Sequence, residues 1–121
     1  MAITPATYNM IVQRRSYHEL TMTLKQSNGT GYSLTGKTVT SQIWDKDRTS
    51  KLTDVTITPD SDQTTNPGEF KWIIPSNKTA LMTSPTYHYD VLVDHTDGDG
   101  VQHLDYWLQG TITTSEGYTA S

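Results

Sequence analysis

Short runs of alternating apolar and polar residues, cut repeatedly by clusters of Gly, Pro, Asn, Asp and Ser, constrain this chain more than any other feature. Successive side chains of a strand point to opposite faces, so period-two alternation is the signature of a half-buried strand. Leu20, Met22 and Leu24 alternate with Thr21, Thr23 and Lys25, and Tyr87, Tyr89, Val91 and Val93 alternate with His88, Asp90, Leu92 and Asp94. About seven strands follow on this basis: residues 7–13, 18–26, 37–45, 52–58, 69–74 and two longer ones joined by a turn at Thr96-Asp97-Gly98-Asp99-Gly100. Asp-Gly dipeptides are strong hairpin signals, so this last pairing is the firmest. Leu104, Tyr106, Leu108, Gly110 and Ile112 share one phase of the return strand. Many short strands separated by turns predict an all-β antiparallel sandwich or barrel.

The remaining segments read as connections. Ser27 to Gly31 supplies turn residues, Asp45 to Lys51 a solvated hairpin loop, and Asp60 to Gly68 a long polar loop expected to be the most flexible stretch. Pro75 stops a strand by removing a backbone donor. Ser76 to Met82 reads as a helical turn near residues 76–83, with Ser76 as its cap and Leu81 and Met82 tucked under the sheet.

Gly31, Gly36, Lys37 and Thr38 match the phosphate-loop pattern G-x-x-x-x-G-K-[ST] letter for letter. That loop requires a helix starting at the Lys, whose N–H groups and dipole meet the phosphates. Thr38-Val39-Thr40-Ser41-Gln42-Ile43-Trp44 follows instead, a β-branched and aromatic run with strand composition. The glycines are therefore expected to be turn residues with positive φ.

The 121 residues and 13.6 kDa suit one domain with a single core. Hydrophobic residues make up only 33%, and the mean hydropathy is −0.59, so three Trp and seven Tyr must supply much of the buried bulk. The absence of Cys removes disulfides, thiolate metal sites and a Cys nucleophile. A net charge of −4 argues against nucleic acid as a partner. No apolar run reaches the length of a membrane span, and Met1-Ala2-Ile3-Thr4-Pro5 has no signal-peptide pattern, so release into the cytosol is expected.

Candidate chemistry is sparse. Asp94, Asp97 and Asp99 are candidate Ca²⁺ ligands, although EF-hand spacing and its closing Glu are missing; turn chemistry alone accounts for them. His18, His88, His95 and His103 lack zinc-site spacing, but His95 and His103 flank one turn and are able to approach each other. No Ser sits in a G-x-S-x-G elbow. Asp90, Asp94 and Asp105 lie on neighbouring strands, as paired glycosidase carboxylates would, though strand carboxylates near a hairpin are usually solvated. Asn28-Gly29-Thr30 and Asn77-Lys78-Thr79 are chance matches to the glycosylation pattern if the chain is not secreted. Trp44 shares its face with Thr38, Thr40 and Gln42, and phase alone leaves it either an exposed interface anchor or sugar platform, or a core residue. No catalytic residue, metal or other cofactor is expected.

The order of landmarks carries a resemblance. Tyr8-Asn9, the Asn28-Gly29 turn, Leu34-Thr35-Gly36-Lys37-Thr38, the Ile43 strand, Gly68 with its alternating strand, Thr79-Ala80-Leu81, Tyr87-x-Tyr89-Asp90-Val91, and Leu108-Gln109-Gly110-Thr111-Ile112-Thr113 occur in sequence. Together they resemble small tailed-bacteriophage virion proteins with an immunoglobulin-like fold, such as the N-terminal domain of phage baseplate upper proteins. The resemblance spans roughly Tyr8 to Thr119, and departs from that pattern at the polar stretch Asp60 to Asn66 and the acidic tip Asp94 to Gly100. It implies an immunoglobulin-like antiparallel β-sandwich over residues 7–115; residues 1–6 and 116–121 are polar or Pro-containing and are expected to be an extended arm and a tail. It also implies a non-enzymatic structural protein of the virion, made in the host cytoplasm and docking on other virion proteins in a symmetric assembly through loops and edge strands. The tail, baseplate or fibre-attachment region is the expected location. A capsid decoration (cement) protein is the alternative within that class, and a carbohydrate-binding module the alternative outside it. No nucleic acid, membrane or small-molecule substrate is expected as a partner.

Overall fold

Alternation in the sequence becomes two sheets packed face to face in the computed structural model, which describes residues 6–26 and 28–116. Its strands are β1 (Ala6–Thr7), β2 (Met10–Gln13), β3 (His18–Thr23), β4 (Thr38–Asp45), β5 (Lys51–Asp54), β6 (Thr56–Pro59), β7 (Glu69–Ile74), β8 (Thr86–Thr96) and β9 (Gln102–Ser115), with one short helix, α1 (Ser76–Thr79). The larger sheet runs β1-β9-β8-β4-β5, and β2 also pairs with β9; the smaller runs β3-β7-β6. All neighbours are antiparallel except β1 and β2, which lie parallel to β9.

The inner faces are those the alternation marks. Phe70, Trp72 and Ile74 of β7 face Val39, Ser41 and Ile43 of β4 and Tyr87, Tyr89, Val91 and Val93 of β8, all buried. Trp72 is the centre of this core. Its ring meets Tyr89 at 5.3 Å between centroids and His18 edge-on at 5.9 Å. Its Nε1–H donates to Ser41 Oγ at 3.0 Å, and the Ser41 hydroxyl donates onward to the Asp90 carbonyl. A buried indole N–H needs such a partner, so this bond fixes β7 against β4 across the sandwich.

Several expectations are corrected. The strand expected over residues 7–13 is two pieces, interrupted at Tyr8-Asn9. The segment 52–58 is likewise two strands in different sheets: β5 pairs with β4, the Val55 N–H donates to the Ser41 carbonyl, and β6 then pairs with β7. Thr53 and Val55 stay inward through the change, because the inner faces of both sheets border the same core. Described strands therefore number nine. In β9 the single phase fails at a bulge: Val91 pairs with Leu108 but Leu92 with Tyr106, leaving Trp107 as the extra residue. Ile112 points inward, whereas Leu104 and Tyr106 are exposed at 54% and 48%. Trp107 stacks on Tyr32 at 4.4 Å.

At α1, Pro75 occupies the capping position and Ser76 is already helical with no side-chain cap. Met82 is fully buried, but Leu81 points to solvent at 51% exposure. The polar loop expected to be flexible is held by one side chain. Gln63 Oε1 accepts from the Leu34 and Gly68 N–H groups at 3.0 and 2.9 Å, while its Nε2 donates to the Asp60 and Glu69 carbonyls at 2.9 and 3.1 Å. Every donor and acceptor of that amide is used. Ala6 belongs to β1 rather than to an arm; residues 1–5 of the expected arm and 117–121 of the expected tail lie outside the described residues.

The phosphate-loop match resolves as the sequence context requires, with β4 starting at Thr38. Lys37 Nζ donates to the Ser33 carbonyl at 2.9 Å and lies 4.7 Å from the Tyr32 ring centroid. Gly36 has φ +73°, a turn glycine as expected. Gly31 is different: its φ is not positive, and a Cβ there would sit 2.0 Å from the Pro67 carbonyl oxygen. Close approach of two loops, rather than backbone handedness, requires glycine at that position.

Candidate functional site

Outward-facing side chains of the larger sheet line a groove of about 560 Å³, within the range of small-ligand sites. Cross-strand register builds its floor in two rows. Gln42, Asp90, Gln109 and Thr7 lie side by side on β4, β8, β9 and β1, and Trp44, His88 and Thr111 form the next row. One wall is the β4–β5 hairpin loop, contributing Asp45, Lys46 and Arg48, and the other is the chain at Thr7 and Asn9.

Local chemistry sets each wall. In the hairpin loop, the Asp45 carboxylate accepts from the Thr49 N–H at 2.7 Å and from the Thr49 hydroxyl, which holds its carboxyl below the usual range. The Arg48 N–H donates to the Asp45 carbonyl at 3.1 Å, and Arg48 adopts φ +56°. That turn brings the guanidinium 5.0 Å from the centre of the Trp44 ring. Trp44 Nε1–H donates to Gln42 Oε1 at 3.0 Å, which orients the indole on the outer face of the sheet. On the opposite wall, Asn9 Oδ1 accepts from the Thr111 N–H at 3.0 Å, and the Tyr89 hydroxyl donates to the Tyr8 carbonyl at 2.6 Å. Burial pushes the Tyr89 phenol up, so it stays protonated in this bond.

Asp90 is the carboxyl of the groove that burial raises above the usual range, and the Arg48 charge opposes that rise. A carboxyl with a raised folded pKa binds its proton more tightly in the folded chain. Its stabilising contribution is complete below the unfolded value of about 3.9 and is lost as pH rises through the folded value. Asp90→Asn removes that loss. The melting temperature of the variant is expected to exceed that of the parent at neutral pH and to converge with it below about pH 3.9. A variant less stable than the parent at neutral pH would show that the charge is better compensated than its burial indicates.

The residues singled out from sequence are dispersed. Asp97 Oδ1 accepts from the Asp99 and Val101 N–H groups at 2.9 and 3.0 Å, and Oδ2 meets His103 Nε2 at 2.8 Å, which holds the carboxyl down. The Asp94 carboxylate accepts from Gln102 Nε2 at 3.0 Å. Asp97 thus closes the turn, and no group of three metal-binding side chains converges among the described residues. His95 and His103 do meet, pairing across β8 and β9 with rings stacked at 4.9 Å. His18 packs against Trp72, and burial lowers its pKa. His88 alone of the four lines the groove.

The carboxylates considered for glycoside chemistry do not converge. Asp90 and Asp94 share the outer face, about 13 Å apart at four residues along a strand, whereas Asp105 pairs with inward-facing Val93. Paired glycosidase carboxylates lie within about 5–9.5 Å of each other. Asn28 Oδ1 accepts from the Thr30 N–H and hydroxyl, as a turn residue, and Thr79 is buried with its hydroxyl donating to the Ser16 carbonyl at 2.8 Å. Trp44 lies on the outer face, half-buried beneath Arg48. Arg48, Gln42, Gln109, Thr7 and Asn9 carried no signal in the sequence beyond their outward phase or their place in a loop. Their neighbourhood depends on strands far apart in the chain.

Comparison with models of known protein families and with curated proteins finds no match. No helix among the described residues is long and apolar enough to cross a membrane.

Proposed function

We propose that the chain is a non-enzymatic structural component of a tailed-bacteriophage particle, built on an immunoglobulin-like sandwich and sited at the tail, baseplate or fibre-attachment region. Strand order carries the reading. A sheet ordered β2-β9-β8-β4-β5 over one ordered β3-β7-β6 corresponds to A′-G-F-C-C′ over B-E-D, the arrangement of immunoglobulin-type domains that add a strand to the G-F-C sheet. A second feature supports it. Tyr87, at the start of β8, accepts the Ser84 N–H at 3.0 Å, a bond back across the corner like that of the tyrosine corner in such domains. The landmark order from Tyr8 to Thr113 supplies the link to phage proteins.

Edges supply the means of docking. β6 ends in Pro59, and β5 is four residues long with Lys51 and Asp54 at its ends, features that discourage strand addition. β3 is six residues long and pairs only with β7 among the described residues. Beside it stand Ile11 and Tyr17, exposed at 69% and 59%. An extended segment of a neighbouring virion protein adding to β3 would meet this apolar rim.

Quantitative mass spectrometry of gradient-purified particles tests the proposal. The expected result is this chain as a constituent present in a few copies per particle. Copies comparable in number to the major capsid protein would make it a decoration protein, and absence from the particles would contradict the virion reading.

A further inference from the structure

The groove on the outer face has a lining whose chemistry favours one class of ligand. Its floor lies on β4, β8 and β9, strands paired on both sides, so no backbone edge is free there to receive a peptide by strand addition. Recognition must run through side chains. Those available are an indole, carboxamides from Gln42, Gln109 and Asn9, hydroxyls from Thr7 and Thr111, the Asp90 carboxylate, the His88 imidazole and the Arg48 guanidinium. Asp45 and Asp90 balance Lys46 and Arg48, so the site selects neither an anion nor a cation.

We propose that this groove binds a neutral oligosaccharide, with a pyranose ring against the Trp44 indole and its hydroxyls bonded to Asp90 and Gln109. A pyranose presents apolar C–H faces together with equatorial hydroxyls that both donate and accept. An aromatic surface flanked by amides and a carboxylate answers both requirements. The width suits it: β4 to β1 spans three strand spacings, about 14 Å, room for two or three sugar units between the walls. The Trp44 indole is oriented by its bond to Gln42, and the Arg48 guanidinium that rests over its ring is displaced by the sugar as it stacks. Asn9, with its oxygen committed to the Thr111 N–H, turns its NH₂ group to other acceptors. A half-buried carboxylate that costs stability at neutral pH is explained if hydroxyl donors reach it in the bound state. This site is independent of the virion reading: it would serve a particle protein at a glycan-coated surface and a stand-alone binding module alike.

Screening the full chain on an array of neutral and acidic glycans, followed by amide NMR titration with the best neutral trisaccharide, tests the proposal. The expected result is a dissociation constant of about 0.1–1 mM, with shifts at the Trp44 indole N–H and the Gln109 side-chain amide. Trp44→Ala and Asp90→Asn should each weaken binding about tenfold or more while the rest of the spectrum is retained. Asp90→Asn preserves volume, so it remains informative if Trp44→Ala fails to fold. Binding confined to acidic glycans, no binding to any glycan, or binding that Asp90→Asn leaves unchanged would overturn the assignment.

Discussion

Replacing Trp72 with Ala is expected to destabilise the fold by about 3–5 kcal/mol. The side chain is fully buried between the sheets, in contact with Tyr89 and His18. Truncation removes its transfer free energy and leaves a cavity that two paired sheets are unable to collapse, because β7 is hydrogen-bonded to a neighbour on each side. A domain of this size has a total stability of roughly 6–18 kcal/mol, so this one change removes from about a sixth to most of it. The polar half of the effect is separable. Ser41→Ala keeps the indole but orphans its N–H, at an expected cost of about 1–3 kcal/mol. In a Trp72→Phe background the same Ser41 change should cost less, since only the Ser41 bond to the Asp90 carbonyl remains to be lost. Denaturant unfolding followed by circular dichroism measures the parent and the four variants. A Trp72→Ala loss below about 1 kcal/mol would place the indole outside the core.

Gly110→Ala is expected to cost about 2–4 kcal/mol for a different reason. A Cβ at this position would sit 1.9 Å from the Tyr8 carbonyl oxygen and 3.1 Å from Tyr89 Cε1. The chain at Tyr8 lies directly over β9 and is anchored there by the Tyr89 hydroxyl and by the Tyr8 N–H bond to the Gln109 carbonyl at 2.9 Å. One added methyl must lift that segment, break the anchor to Tyr89 and displace Thr7 and Asn9, the far wall of the groove. Denaturant unfolding reads the stability, and amide NMR shifts confined to β1, β9 and the groove locate the damage. Unchanged stability with unchanged Asn9 and Thr111 shifts would show that the segment does not seat on Gly110.

The alternation of β3, β7 and β8 was readable because each strand buries one face against one core, which imposes period two on the residues themselves. Where the chain departs from regular pairing, periodicity carried no warning. Trp107 looks like the polar-phase neighbour of Tyr106 and Leu108, and only the partner strand reveals that it is the residue a bulge leaves over. At Val55 the inward phase continues while the backbone exchanges one sheet for the other, so residues 52–58 read as one strand. Gln63 resembles any loop residue until its amide is seen replacing four backbone partners. The groove was legible only in fragments. Trp44 and Asp90 were marked by type and phase, but their approach to Gln109 and Asn9 depends on long-range pairing of β4, β8, β9 and β1. Arg48 enters the site through its own left-handed backbone in a five-residue loop that composition describes merely as charged.

The central claim, that this sandwich is a virion component of the tail region, is tested most directly by immunogold electron microscopy of intact particles with antibody raised against the purified chain. Gold confined to the tail end is the predicted result, and particles that remain unlabelled at the tail would contradict it.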